Sequence, residues 1–494
     1  MSVPLLHAAG PVVLRGYQIR LVDDCLEALA SHHRAALLVA PTGAGKTVVI
    51  AALARHFVAL GKRVLVLAHR RELIRQASSK LKAAGLAHGI VAPGHLPSDD
   101  IVQVASVQTL GRRLTGRQAT GYDVIIVDEA HHSVAGAWSK VIAANPKAVV
   151  IGVTATPERL DGRGLGVACG GTYSKLCLGP TVAELQAEGH LVHARVFAPS
   201  VPDLKGVAKR AGDYAVEALA GAMQQGGLTG DAVEHYRRHA HGQPAIAFCA
   251  SVSHAQSVAA AFREAGYRAV AVDGDTPAAE RDAAIIGLET GATEVLCACD
   301  LLSEGLDLPA VACVILLRPT KSLCLHVQQV GRGLRPADRK DCLVVLDHSG
   351  NCLAHGLPDE NHACTLDGKR KRSPTAAAIR QCPSCFRIHR PAASCPECGL
   401  VYAVADGKKP RQPKSCKGDL VELTPAAIIA AAKASARKSE RQEVLRTIPL
   451  HDLLGAATDM KALQAIAVAK GFKAGWAYHE AKKRGIRIGH RRAA

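Results

Sequence analysis

Four groups of residues in this 494-residue chain have the types and spacing of working chemistry. The first is Ala40-Pro41-Thr42-Gly43-Ala44-Gly45-Lys46-Thr47. Gly43 and Gly45 let the main chain turn tightly and aim N–H groups inward. A helix starting at Lys46 adds the positive end of its dipole, and together these cradle phosphates. Lys46 reaches β- and γ-phosphates, and the Thr47 hydroxyl suits Mg²⁺. Residues 42–47 are therefore read as nucleotide-binding: Thr42, Gly43, Ala44, Gly45, Lys46 and Thr47. Ala40 stands where this pattern usually has its first glycine. The second group is Asp128-Glu129, at the end of the apolar run Val124-Ile125-Ile126-Val127. Asp128 would hold Mg²⁺ through water, and Glu129 would polarise the water that attacks the γ-phosphate.

The third group is His326-Val327-Gln328-Gln329-Val330-Gly331-Arg332-Gly333-Leu334-Arg335-Pro336. Arg332 and Arg335 are three apart, so they share a helix face. Guanidinium groups brought to a γ-phosphate neutralise transition-state charge, worth about 10³–10⁵ in rate. Gln328 is read as orienting the water or a phosphate oxygen. The fourth group is Cys382-Pro383-Ser384-Cys385 and Cys395-Pro396-Glu397-Cys398, two knuckles nine residues apart. Four thiolates at this spacing suit tetrahedral Zn²⁺ in a closed, structural site. A redox dithiol motif has no reason to be duplicated so. Tyr17-Gln18 is a weaker signal: a Gln pairs with the N6 and N7 edge of adenine.

These residues need strands to deliver them. Apolar runs at 35–39, 64–68, 101–105, 124–127 and 149–153 read as buried parallel strands. Each ends in polar residues, and the tips of parallel strands are where such sheets bind ligands. A second set begins at Pro244 and runs through 269–272, 294–299, 311–317 and 343–346. The expected class is α/β, with two tandem lobes. The boundaries are 1–185 and 186–355 for the lobes, 356–380 for a basic linker, 381–402 for the cysteine segment, and 403–494 for a basic, partly helical end. Trp476 and Tyr478, among Lys473, Lys482, Lys483 and Arg484, either stack on bases or form a small core.

The order Tyr17-Gln18, Gly43 to Thr47, Arg71-Glu72-Leu73, Asp128-Glu129-Ala130-His131 and Thr154-Ala155-Thr156-Pro157 resembles the motifs of superfamily 2 helicases of the DEAD/DEAH-box kind. Ala250 to His254, Gly305 to Pro309 and Gln328 to Arg335 are similar to its later motifs. The stretch Thr156 to Leu165 is similar to the RadD-like and XPB-like DNA branch and to phage-encoded relatives. The resemblance implies two RecA-like P-loop domains, followed by a zinc ribbon and a basic helical tail. It implies ATP, Mg²⁺ and Zn²⁺ as cofactors, with Zn²⁺ on Cys382, Cys385, Cys395 and Cys398. It also implies that Gly305 and Asp307 approach the nucleotide ribose and that Thr154 and Thr156 couple ATP state to lobe closure. Cys299 stands where many relatives have Thr.

Composition agrees with a polyanion-binding machine. The net charge is +18. From Gly368 onward there are 26 Lys and Arg against 9 Asp and Glu, a balance of +17; the preceding residues hold 35 against 34. A neutral machine with a basic end points to nucleic acid. DNA, single-stranded or branched, is the expected partner, in repair, recombination or replication. RNA is the alternative, as is a role as the motor subunit of a restriction system. No apolar run approaches the roughly 20 residues of a membrane span, the first residues do not read as an export signal, and the expected compartment is the cytoplasm. A chain ending near Gly368 is expected to keep basal ATP turnover.

Overall fold

The computed structural model describes residues 13–114, 119–134, 136–159, 162–198, 209–210, 213–214, 228–299, 308–368, 379–402, 445–472 and 475–486. It divides into two compact units, Met1–Val404 and Ala405–Ala494. Gly305, Asp307, the run Lys369 to Arg372 and residues 403–444 lie outside the described residues.

The first unit is built on two large sheets, with a small two-stranded one besides. The first lobe's strands are β1 (Ala35–Val39), β2 (Val64–Ala68), β3 (Gly89–Val91), β4 (Val102–Ser106), β5 (Val124–Asp128), β6 (Val149–Thr154) and β7 (Lys175–Leu178). Their order is β3-β4-β2-β5-β6-β1-β7, with every pairing parallel. Every residue of β1, β2, β4 and β5 is buried. Helices cover both faces, so these strands are continuous apolar runs rather than alternating ones. Apart from Gln103 inside β4, whose amide donates to the Ser98 and Asp100 carbonyls, the polar residues of these buried strands sit at their ends, where Asp128 closes β5 and Thr154 closes β6.

The second lobe starts with β8 (His193–Phe197). A two-residue hairpin follows, β9 (Lys209–Arg210) with β10 (Asp213–Tyr214), and Asp213 accepts a 2.6 Å hydrogen bond from the Thr320 hydroxyl. The remaining strands are β11 (Ala245–Phe248), β12 (Ala269–Val272), β13 (Val295–Ala298), β14 (Cys313–Leu316), β15 (Cys342–Asp347), β16 (Arg380–Gln381) and β17 (Arg387–His389). The sheet order is β12-β13-β11-β14-β15-β8-β17-β16.

Here the structure redraws a boundary. The cysteine-bearing hairpin β16–β17 is not a separate segment beyond a linker. β17 pairs antiparallel with β8 and so extends the second lobe's sheet. Glu397, between the second pair of cysteines, forms an ion pair with Arg195 of β8 and lies 3.4 Å from Arg387. A chain ending near Gly368 would therefore strip the edge of β8. A cut after Val404 leaves the sheet whole.

Residues 357–368 also do more than link. They leave the second lobe and pack on the first. The Leu366 carbonyl accepts from the Gly166 N–H at 3.0 Å, and the Leu366 side chain joins the cluster around Leu165 and Tyr173. A Cβ on Gly164 would collide with the Leu366 carbonyl, so only glycine permits this approach.

The second unit includes helices Leu450–Ala456, Met460–Lys470 and Trp476–Lys483. Leu453, Leu463, Ile466 and Ala481 form its core, and Trp476 packs there with its ring 4.4 Å from Phe472. Trp476 therefore serves the small core, while Tyr478 is 49% exposed. Among the described residues no helix is long and apolar enough to cross a membrane.

Candidate functional site

The stretch after β1 turns through Gly43 (φ 92°) and Gly45 (φ 78°), both in the left-handed region that glycine alone enters cheaply. Gly45 then caps helix α2 (Lys46–Ala59) without any side-chain cap. That leaves the first-turn N–H groups to a ligand. A Cβ at Gly45 would lie 2.5 Å from Gln18 Nε2.

Tyr17 and Gln18 open helix α1 (Gly16–Ala30) and are both buried. The Tyr17 hydroxyl donates to the Ala44 carbonyl at 3.1 Å, and Gln18 Nε2 donates to the same carbonyl at 3.0 Å. Gln18 Oε1 accepts from the Arg15 N–H at 2.9 Å. In this conformation the pair braces the glycine-rich turn.

Glu129 follows β5 with φ 51°, a left-handed conformation in a non-glycine residue. Such strain costs about 1–3 kcal/mol and persists only where the surroundings impose it. Its N–H donates to Asp128 Oδ1 at 3.0 Å. His131 Nδ1 lies 3.5 Å from Glu129 Oε2 and 3.2 Å from Thr154 Oγ1. Thr154 in turn donates to the Thr156 carbonyl at 2.9 Å. His131 Nε2 lies 3.6 Å from the Cys324 Sγ of the second lobe.

The two lobes meet across a cleft of about 510 Å³. This falls in the usual size range of ligand sites. Thr42, Lys46, Thr47, Asp128 and Glu129 line it from the first lobe, and Arg332, Arg335 and Pro336 from the second. Helix Leu323–Gly331 and the turn after it deliver the arginines. Gly331 sits so close that a Cβ would lie 2.5 Å from the Thr42 Cβ. Glu72 and Arg281 pair across the lobes at 3.5 Å, as do Arg75 and Asp282 at 3.4 Å. The second pair is exposed and is worth at most about 1 kcal/mol.

Lys46 is surrounded by protein but opens on the cleft. Its pKa is lowered, first by burial, with Arg332 and Arg335 adding to the fall and Glu129 and Asp128 opposing it. Three cations thus converge against two carboxylates. A triphosphate supplies the missing negative charge, so the residues present fit that ligand. Thr47 and Asp128 supply the oxygen ligands that Mg²⁺ prefers.

Gln328 is buried on its helix and is not part of the cleft wall. Arg15, Gln76, Lys80 and His190 line the cleft without having been singled out, and Pro309, the end of a motif stretch, lines it too. For Gln76 and Lys80 a signal existed: four apart on helix α3 (Arg71–Ala83), they share one face with Glu72. His190 lies in a connection with no motif, and its place there, 5.6 Å from the Tyr17 ring, comes from the fold alone.

The four cysteine sulfurs of the hairpin lie within 4.8 Å of one another. Cys382 and Cys398 are 3.7 Å apart, and Cys385 and Cys395 are 3.6 Å apart. Zn–S bonds of about 2.3 Å in a tetrahedron place sulfurs about 3.8 Å apart. The N–H groups of Ser384 and Cys385 point at Cys382, and those of Glu397 and Cys398 at Cys395. The donor set fits a structural zinc.

Residues 11–159 match the family described as type III restriction enzyme, res subunit, and residues 230–337 match the helicase conserved C-terminal domain. A 51.5 kDa protein of a Lactococcus phage is 35% identical over 353 residues, covering 71% of this chain and 74% of that protein. The chain belongs to the superfamily 2 helicases. The IRC3 protein of Saccharomyces cerevisiae, named as an ATP-dependent helicase, is 32% identical over 360 residues, covering 68% of this chain and 52% of that protein. The helicase chain thus spans about half the length of that yeast relative. Two solved structures share the fold. An HsdR subunit fragment of a type I restriction enzyme from Vibrio vulnificus has a TM-score of 0.56 at 21% identity, covering 73% of this chain and 68% of that one. The type ISP restriction-modification enzyme LlaBIII, bound to DNA, has a TM-score of 0.51 at 19% identity, covering 68% and 28%. This helicase is an ATP-dependent motor of that family.

Proposed function

We propose that this helicase is a DNA-directed motor of the RadD-like and XPB-like kind, moving on or unwinding DNA by hydrolysing ATP between its lobes. The observation that carries the reading is the shared cleft, in which the first lobe's Lys46, Asp128 and Glu129 face the second lobe's Arg332 and Arg335. Lys46 and the main chain of 42–47 hold the phosphates. Thr47 and Asp128 hold Mg²⁺, which neutralises phosphate charge when bound. Glu129 takes the proton of the attacking water, and Arg332 and Arg335 stabilise the charge that develops. The adenine end of the site falls to the edge formed by Tyr17 and Gln18, beside Arg15, which donates to the Tyr17 hydroxyl at 3.3 Å, and His190.

A motor needs nucleotide states that bind DNA differently. His131 touches Glu129, Thr154 and the second lobe's Cys324, so a change at the γ-phosphate reaches both lobes by direct contact. ATP turnover with DNA compared with RNA tests the substrate. Stronger stimulation by DNA is expected, and stimulation by RNA alone would overturn the choice.

The close approach of Gly331 to Thr42 gives a separate test. Gly331→Ala is easily accommodated by a helix but pushes against Thr42. A misplacement of about 1 Å at a catalytic centre costs on the order of 10²-fold. We expect a fall of that order in ATP turnover with little change in thermal midpoint. Unchanged turnover would mean that the arginines do not act from this closed arrangement.

The cysteine hairpin is a structural zinc site, and the basic end of the chain grips nucleic acid. A chain ending at Val404 should keep one zinc and its ATP turnover, yet bind DNA with a shallower salt dependence. Each lost phosphate contact removes about 0.7–0.9 log units per log unit of salt. Cys398→Ser in the full chain should lose the metal and lower the thermal midpoint, because β17 is paired to β8. Equal salt slopes for the two chain lengths would make the basic end a mere solubilising extension.

A further inference from the structure

Lys340 belongs to none of the motifs above. It follows a tight turn in which Arg339 takes φ 62° and the Lys340 N–H donates to the Ala337 carbonyl at 3.2 Å. Its side chain is half-buried and runs back toward the cleft. Nζ donates to the Arg335 carbonyl at 2.7 Å and to the Pro309 carbonyl at 3.1 Å. Both accepting residues line the nucleotide cleft. They come from different loops, one before β14 and one before β15.

We propose that Lys340 is a positioning residue for Arg335, tying the main chain of the arginine to the neighbouring loop so that its guanidinium stays aimed into the cleft. The proposal rests on the catalytic reading of Arg335 given above. On its other side, the Leu334 carbonyl accepts from the Val192 N–H at 2.8 Å. The arginine's backbone is thus held from two directions, by β8's approach and by the Lys340 ammonium. A surface lysine seeking a partner would take a carboxylate, and charge-assisted bonds to two carbonyls in a partly buried site are a costlier choice. Burial, and then Arg335, lower the Lys340 pKa to about 7, with Cys342 opposing the fall. That cost is tolerated where the geometry it fixes matters.

The test is a cycle of Lys340→Met and Arg335→Ala in the full chain, read by steady-state ATP hydrolysis with thermal midpoints alongside. Met keeps the aliphatic stem and removes the donors. We expect Lys340→Met to lower kcat about ten-fold or more while KM for ATP stays within about two-fold. In the Arg335→Ala background the same change should cost almost nothing, because no guanidinium remains to be aimed. If Lys340→Met fails to fold, Lys340→Gln is carried through the same cycle. An equal fall in both backgrounds, a loss seen in KM instead of kcat, or no loss at all would overturn the proposal. Near-normal turnover by Arg335→Ala alone would instead remove the catalytic reading of Arg335.

Discussion

Glu129→Gln should bind ATP like the unaltered helicase and hydrolyse it about 10²–10⁴ times more slowly, the usual worth of a positioned general base. The exchange keeps the size and the hydrogen-bonding reach of the side chain and removes its negative charge and its ability to take a proton. Glu129 is held in place by its surroundings. Its backbone sits at φ 51°, its N–H is bonded to Asp128, and His131 stands beside its carboxylate. The fold should therefore survive the change. Lys46→Ala makes the contrasting case. It removes the cation that neutralises phosphate charge, so binding and turnover should fall together. Equilibrium ATP binding beside steady-state hydrolysis separates the two. Near-normal turnover in Glu129→Gln would end the assignment of this carboxylate.

Arg335→Ala should depress turnover by about 10³–10⁵, the worth of an arginine finger, while leaving both lobes folded. The residue belongs to the second lobe, yet its side chain approaches the first lobe's turn. A Cβ on Gly43 would lie 3.5 Å from Arg335 Cγ. ATP affinity should change far less than rate, since the proposed site holds the phosphates chiefly through Lys46 and residues 42–47 of the first lobe. The check is kcat and KM for ATP, with a melting curve to exclude misfolding. Turnover within a few-fold of normal would mean that the site is complete within one lobe. The two-lobe mechanism would then be wrong for this helicase.

The chemistry-bearing residues could be read from the amino-acid order because phosphate handling demands particular types at the ends of buried strands. Lys46, Asp128, Glu129, Arg332 and Arg335 meet in one cleft as that logic requires. Interactions made by the main chain left no such mark. The packing of Leu366 on Gly164 and Gly166 depends on a carbonyl, an N–H and the absence of a Cβ. Only the cluster of glycines at 162–166 hinted at it. The pairing of β17 with β8 was equally hidden, since a three-residue edge strand has no period to detect. Gln18 shows a contact that its residue type did not announce. Its amide suits adenine by type, and the fold also sets it against the Ala44 carbonyl. Lys340 escaped notice because a lone lysine in a polar turn reads as solvated surface until its two carbonyl partners are seen.

On the proposed reading, nucleic acid and ATP act through the same two-lobe closure. The most direct measurement is ATP turnover by the full chain titrated with single-stranded DNA, run in parallel for Arg335→Ala. Turnover of the unaltered helicase should rise and saturate with DNA, while Arg335→Ala binds the same DNA and shows almost no response. A rate that stays flat across the titration, with forked DNA and RNA equally without effect, would contradict the account.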